Sequence, residues 1–122
     1  MNRLEALSPH VHWGMRLSVA ATYLWHGSHK FPPVELLENL GIPIPLGYVI
    51  AVTEIAVALA LLIGPFTKDI VTRIGGILIV TNMIGAIVLV HSGGWDYRTG
   101  GMEFQVLLLA VGAYFLVKGN EA

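Results

Sequence analysis

The sequence predicts an all-α integral membrane protein, a four-helix bundle of up-down topology formed by a single domain over residues 1–122. Two observations lead to this fold class. The chain is 55% hydrophobic and only 12% charged, with a mean hydropathy of +0.70, which is more apolar than a water-soluble domain of this size can bury. It also contains four apolar segments, and a helix needs about 20 residues to cross a hydrocarbon core of about 30 Å.

The four predicted helices cover about residues 11–31, 46–63, 70–91 and 101–117. The second ends at Gly64 and Pro65, a helix cap followed by a helix stop. Prolines bound the link before it, and the mixture of apolar and acidic residues between them predicts a surface helix over residues 34–40 that can act as a lid. The uncharged stretch of the fourth segment, residues 104–117, is too short to span, so its helix is expected to draw Glu103 toward the membrane.

The distribution of Lys and Arg predicts the orientation. An even number of spans places both termini on one side together with the link between the second and third helices. That side carries five basic residues, Arg3, Arg16, Lys68, Arg73 and Lys118, whereas the other carries only Lys30 and Arg98. Cytoplasmic loops are enriched in Lys and Arg, so we expect a multi-pass protein of the cell membrane with cytoplasmic N and C termini.

Composition excludes several classes of function. The chain has no cysteine, which removes disulfides, thiolate metal sites and iron–sulfur ligation. Its formal net charge of -1 and the lack of a basic cluster speak against a nucleic-acid partner. No glycine-rich dinucleotide fingerprint occurs, so a redox role would require electrons from a partner subunit.

Helical spacing places polar residues on three stripes. The members are Arg16, Ala20, Tyr23, Gly27 and Lys30 on the first helix, with His26 beside them; Gly47, Ala51, Glu54 and Ala58 on the second; and Glu103, Leu107, Ala110 and Tyr114 on the fourth. Each stripe has an apolar face opposite it, so we expect its charges to point into the bundle, where lipid does not meet them. Asn82 on the third helix is expected to form an interhelical hydrogen bond.

These stripes gather ionisable residues at the outer end of the predicted bundle. The candidate catalytic residues are Glu54, Glu103, Lys30 and His26, with the two carboxylates relaying protons. A quinone headgroup has two carbonyl oxygens that need donors, and the candidate quinone-binding residues are Tyr23, His26, Lys30 and His91. The alternative is that Lys30, Glu54 and Glu103 neutralise one another and only fix the helix packing.

A metal site is the weaker interpretation of the same histidines. His26 and His29 are three residues apart on one helical face, and with His91 they could ligate zinc, copper or iron. A pair of interfacial histidines is more often a helix end that meets water, so no metal is expected. His10 and His12 are expected near a flexible terminus on the opposite side.

Several stretches resemble a known family. "RLSVAATYLWHGSHK", "LLENLGIP", "EIAVALALLIGPFT" and "GGMEFQVLLLA" are similar, in order and spacing, to the signatures of the DoxX family of small four-helix membrane proteins. The positions that match the family pattern are Arg16, Gly27, Lys30, Glu54, Gly64, Arg73 and Glu103. The family takes its name from a membrane subunit of a thiosulfate:quinone oxidoreductase, so the resemblance implies redox membrane biology, a compartment and a class of partner.

The expected function is therefore that of a DoxX-like membrane subunit of a respiratory or redox complex, with a quinone or proton-handling site in its outer half and no redox centre of its own. Expected partners are other membrane or peripheral redox subunits and the lipid bilayer. The sequence does not decide whether the chain forms a homo-oligomer. Quinone is the expected cofactor, with no group bound covalently. Two alternatives remain: a non-catalytic anchor or assembly subunit, and a small transporter or proton path.

Overall fold

The computed structural model describes residues 2–28, 41, 43–89 and 92–122, and no strand occurs in these ranges. Helix α1 spans Asn2–Leu7, α2 spans His12–Ser28, α3 spans Ile44–Ile63, α4 spans Asp69–Leu89 and α5 spans Glu103–Lys118. Short 3-10 turns follow α1, α3 and α5 at Ser8–His10, Gly64–Phe66 and Gly119–Glu121, and another precedes α5 at Tyr97–Thr99. The predicted all-α class is confirmed.

Helices α2 to α5 occupy the apolar segments of the sequence. α3 and α4 begin two residues and one residue earlier than predicted, and α5 begins two residues later. The predicted C-terminal residues of the first and third helices and the surface helix over residues 34–40 lie outside the described residues. Helix α1 was not predicted, because its six residues are too few to show a helical period.

Two of the described helices are long and apolar enough to cross a membrane. They are Pro45–Phe66, with a mean hydropathy of 2.4, and Asp69–Leu89, with a mean hydropathy of 1.8. The described parts of α2 and α5 have 17 and 16 residues. At 1.5 Å per residue each is about 25 Å long, short of a hydrocarbon core of about 30 Å.

The long helices pack in chain order, α2 on α3, α3 on α4 and α4 on α5. The start of α2 and the end of α5 lie at the same end of the molecule, because the Arg16 guanidinium stacks on the Phe115 ring at 4.9 Å. Buried apolar residues from all four helices form one core: Val19, Ala20, Tyr23, Val57, Ala58, Leu61, Ile79, Met83, Leu108 and Phe115.

The stripes predicted on the first two long helices are buried. On α2 this holds for Arg16, Ala20, Tyr23 and Gly27, and on α3 for Gly47, Ala51, Glu54 and Ala58. Lys30, the last predicted member, lies outside the described residues. The predicted interhelical bond of Asn82 is also present, since its Nδ2 donates to Thr53 Oγ1 at 3.3 Å.

Helices α4 and α5 meet at two glycines. A Cβ atom on Gly76 would lie 2.5 Å from the Leu116 backbone nitrogen and 2.7 Å from the Gly112 carbonyl oxygen. A Cβ atom on Gly112 would lie 2.5 Å from Ile79 Cγ2. The two backbones are therefore in direct contact, the packing that small residues allow between membrane helices.

This contact turns a different face of α5 toward the core than the sequence predicted. The buried residues of α5 are Leu108, Gly112 and Phe115. Leu107 is 62% exposed and Tyr114 is 40% exposed. The predicted inward stripe is therefore wrong for Leu107, Ala110 and Tyr114, which are exposed, whereas Glu103 is half-buried. Glycine packing selects the contact face of α5.

Candidate functional site

The candidate site lies where α2 meets α3 at a glycine. A Cβ atom on Gly27 would lie 3.3 Å from Glu54 Cβ and 3.4 Å from the Ala51 carbonyl oxygen, so the absence of a side chain lets the two helices approach closely. Glu54 is 7% exposed and Tyr23 is 2% exposed. The Glu54 carboxylate is close enough to the Tyr23 hydroxyl to act on it electrostatically. Two of the predicted site residues are thus brought together.

The chemistry of this pair follows from its burial. Among the described residues, the Tyr23 hydroxyl has no hydrogen-bond partner. A buried polar group without a partner costs about 1 to 3 kcal/mol, and buried tyrosines usually avoid this cost. Glu54 is the eleventh of the 20 residues of α3, so it lies near the middle of a membrane-length helix. A phenol and a carboxyl so placed can donate to a polar ligand and hold a proton for it.

The other predicted site residues are not seen to join this pair. His26 is exposed on α2. Lys30, His29 and His91 lie outside the described residues, so their roles remain predictions. Glu103 is half-buried at the first residue of α5, and its Oε1 accepts a hydrogen bond from the Tyr97 backbone N–H at 3.2 Å.

Glu103 helps to hold a compact loop before α5. Its backbone N–H donates to the Trp95 carbonyl oxygen at 2.9 Å. The Asp96 carboxylate accepts hydrogen bonds from the Arg98 guanidinium and backbone N–H, and these bonds lower the pKa of the Asp96 carboxyl. A Cβ atom on Gly101 would lie 2.3 Å from the Trp95 carbonyl carbon, so only glycine fits there. The observed contact of the Glu103 side chain is therefore structural.

The metal interpretation gains no support from the residues that the structure describes. Within them, no group of three or more His, Cys, Asp or Glu side chains is arranged to hold a metal ion. His29 and His91, two of the three predicted ligands, are outside this part of the chain. The metal alternative therefore stays a prediction.

A second polar cluster surrounds Arg16 at the end of the molecule where α2 begins. The Arg16 side chain is fully buried, at 0% exposure. Its Nη1 donates to the Leu61 carbonyl oxygen at 2.7 Å and to Thr72 Oγ1 at 3.1 Å. In a regular helix the Leu61 carbonyl would accept from residue 65, but Pro65 has no N–H. Arg16 therefore supplies the donor that Pro65 lacks.

Asn120 completes this cluster from the turn after α5. Its Oδ1 accepts from Thr72 Oγ1 and, at 3.5 Å, from Arg16 Nη2, and its Nδ2 donates to the Gly64 carbonyl oxygen at 3.0 Å. Within the described chain, the groups that accept from Arg16 are neutral. The Arg16 cluster, as named below, consists of His12, Arg16, Leu61, Thr72, Phe115 and Asn120.

His12 also belongs to the Arg16 cluster, a contact that the sequence did not predict. It is the first residue of α2, and its Nδ1 accepts a hydrogen bond from Arg16 Nε at 2.8 Å. The sequence had given His12 no role, and the structure shows it as a hydrogen-bond partner of Arg16. The spacing of four residues between His12 and Arg16 is the one local signal that could have revealed this pair.

Comparison with known families identifies the family of the chain. The family model named DoxX matches residues 13–92. The chain belongs to the DoxX family. Its membership and the two long apolar helices found among the described residues together indicate a membrane protein. No curated protein and no solved structure matched the chain.

The part of this DoxX protein that matches the family contains the Tyr23–Glu54 pair and ends before α5. Gly64 and Arg73, which also match the family pattern, make contacts that hold the helices together. A Cβ atom on Gly64 would collide with Thr72 Oγ1. Arg73 Nη1 donates to the Leu116 and Val117 carbonyl oxygens at 3.0 Å and 2.9 Å, which caps the end of α5. Glu103 lies outside the matched range.

Proposed function

We propose that this DoxX protein is a membrane subunit of a redox complex and that the Tyr23–Glu54 pair is its proton-handling site. The observation that carries the proposal is the buried Tyr23 hydroxyl, which lies within electrostatic reach of the Glu54 carboxyl and has no hydrogen-bond partner among the described residues. An acid near the middle of a membrane-length helix is costly to maintain, and such groups commonly handle protons or bind polar ligands.

The proposed topology is a multi-pass four-helix bundle with both termini in the cytoplasm. It is supported by the packing of α2 to α5 in chain order and by the contact of Arg16 with Asn120, which joins the start of α2 to the end of α5. The excess of basic residues at that end favours its cytoplasmic location. The Arg16 cluster then lies at the cytoplasmic end, and the Tyr23–Glu54 pair lies farther toward the outer side.

Quinone is the ligand class that we propose for the site. Quinone reduction takes up protons with electrons, and the two headgroup carbonyls accept hydrogen bonds. Tyr23 fits as a buried donor, and Glu54 fits as the group that holds a proton. Lys30 and His91 remain proposed donors from outside the described residues, as does His26 from α2. Because the chain has no cysteine and no dinucleotide fingerprint, electrons would come from a partner subunit.

The variants Tyr23→Phe and Glu54→Gln test the site in the native complex. Each removes one acidic proton and keeps the size of the side chain. We expect the amount of assembled complex to be unchanged and the quinone turnover per complex to fall about 100-fold, a typical contribution of general acid–base catalysis. Both quantities are measured on one preparation, by subunit quantification and by quinone reduction.

The matched control is Tyr114→Phe, which removes a hydroxyl from the exposed face of α5. It should change neither quantity. Normal turnover per complex in both site variants, with a reduced amount of complex, would show that the pair only packs α2 against α3. That result would replace the proposal with the alternative of a non-catalytic anchor or assembly subunit.

A further inference from the structure

We propose that the loop before α5, residues 94–102, lies in the headgroup layer of the lipid bilayer and binds that surface through Trp95 and Tyr97. We call this segment the α5 loop. The inference does not depend on the proposed role of the Tyr23–Glu54 pair. It rests on the level of the α5 loop beside α4, on the internal hydrogen bonding of its backbone and on the exposure of its two aromatic side chains.

The α5 loop begins within the length of α4, a helix that is long and apolar enough to cross a membrane. The two helices touch where a Cβ atom on Gly76 would lie 2.7 Å from the Gly112 carbonyl oxygen. At 1.5 Å per residue, α4 continues from this contact for about 20 Å to Leu89, whereas the first residue of α5, Glu103, is about 14 Å away. The α5 loop therefore starts about 6 Å short of the end of α4.

The backbone of the α5 loop satisfies its own hydrogen-bond donors. Every backbone N–H from residue 97 to residue 103 donates to an oxygen of the same segment, at 2.8 to 3.2 Å. The acceptors are the carbonyl oxygens of Gly94, Trp95, Asp96 and Tyr97 and the carboxylates of Asp96 and Glu103. In water such donors can bond to solvent, but a non-helical backbone at membrane depth must satisfy them internally. The α5 loop meets this requirement.

The side chains of the α5 loop suit the boundary between lipid and water. Trp95 is 58% exposed and Tyr97 is 64% exposed, and such rings are enriched at membrane interfaces because they combine an apolar body with a polar group. The Arg98 guanidinium donates from Nε and Nη2 to the two carboxylate oxygens of Asp96, at 3.2 and 3.0 Å. The two charges of the loop thus neutralise each other where the medium is less polar than water.

The exposed surface at the end of α4, from which the chain enters this region, is apolar as well. Val88 is 65% exposed and Leu89 is 62% exposed. In a membrane, lipid covers such residues of a spanning helix. The aromatic side chains of the α5 loop lie at the same end of the molecule and extend this lipid-contacting surface toward the headgroups. A lipid surface is therefore the partner that the α5 loop fits.

Fluorescence quenching of Trp95 in proteoliposomes tests this inference. The chain has three tryptophans, so the double variant Trp13→Phe and Trp25→Phe leaves Trp95 as the sole indole. The vesicles contain phosphatidylcholine brominated either close to the headgroup or near the end of the acyl chain, and acrylamide is added to the water. We expect the largest loss of Trp95 fluorescence with the bromine close to the headgroup, a smaller loss with deep bromine, and weak quenching by acrylamide.

Two other results would overturn the proposal. Strong quenching by acrylamide without quenching by either brominated lipid would place the α5 loop in water. Protection from both kinds of quencher would show that a second copy of the chain covers Trp95. Because the tryptophan replacements could disturb folding, Tyr97→Cys provides an independent measurement with all three tryptophans kept. A spin label on this single cysteine should collide more often with oxygen, which dissolves in lipid, than with a water-soluble nickel complex, and the opposite order would contradict the proposal.

A pair of glycine variants tests whether the internally bonded backbone holds Trp95 in the headgroup layer. A Cβ atom on Gly101 would collide with the Trp95 carbonyl group, so Gly101→Ala should open the α5 loop. We expect quenching of Trp95 by acrylamide to increase and quenching by shallow bromine to decrease. Gly93→Ala is the matched control, since its Cβ atom would have no neighbour within 4 Å, and it should change neither. Identical quenching in both variants would contradict the role assigned to the backbone hydrogen bonds.

Discussion

Gly76→Ala is expected to destabilise the protein by about 3 kcal/mol, at the upper end of the cost of overpacking a core. The added methyl group would lie 2.5 Å from the Leu116 backbone nitrogen and 2.7 Å from the Gly112 carbonyl oxygen. Both are backbone atoms, so no change of rotamer can relieve the collision, and α4 must separate from α5. Thermal unfolding in detergent, followed by circular dichroism, should show a clearly lower Tm.

Gly85→Ala is the matched control on the same helix. A Cβ atom on Gly85 would have no neighbour within 4 Å. Alanine is favoured over glycine in a helix interior by up to about 1 kcal/mol, so the Tm should stay the same or rise. Equal Tm values for the two variants would contradict direct backbone contact between α4 and α5.

Arg16→Met, as a separate variant, is expected to lower the free energy of unfolding by about 3 kcal/mol as well. The change leaves buried acceptors without their donor, and each unsatisfied buried group costs about 1 to 3 kcal/mol. The Leu61 carbonyl is affected most, because Pro65 cannot supply the helical N–H. Removing the buried Arg16 charge also removes its desolvation cost, which acts in the opposite direction. The three hydrogen bonds that Arg16 donates, at 2.7, 2.8 and 3.1 Å, make the loss of stability larger than this gain.

Arg98→Met provides the control for Arg16→Met. The Arg98 side chain is 74% exposed and pairs with Asp96 in a surface loop. Surface ion pairs add little to stability, so its Tm should match that of the unchanged protein. If Arg16→Met melted at the same temperature as Arg98→Met, the Arg16 cluster would have no role in holding the helix ends together.

The sequence predicted the α2–α3 half of the candidate site because its signal is local. Gly47, Ala51 and Ala58 repeat at helical spacing around Glu54, and all are buried. In a membrane, a face of small residues favours close contact with a neighbouring helix, and a carboxylate on that face is excluded from lipid. Both effects place this face against another helix. The same reasoning failed on α5, where the position of Gly112 against Gly76 selects the face and depends on a second helix.

The Arg16 cluster could not be predicted because its contacts are distant in the chain. Arg16 bonds Leu61, Thr72 and Asn120 across sequence separations of 45, 56 and 104 residues. No helical period connects such residues. The resemblance to the DoxX family indicated Arg16 and Gly64 as matching positions, but the acceptors that surround the guanidinium became visible only in the folded chain.

Infrared difference spectroscopy in lipid nanodiscs tests most directly whether Glu54 is a proton-handling group. The carbonyl stretch of a protonated carboxyl separates it from carboxylates, and subtracting the spectrum of Glu54→Gln isolates the signal of Glu54. We predict a protonated-carboxyl band that is missing in Glu54→Gln and that shifts in Tyr23→Phe because the nearby hydroxyl is lost. Identical spectra of the unchanged protein and of Glu54→Gln would contradict the proposed role of the Tyr23–Glu54 pair.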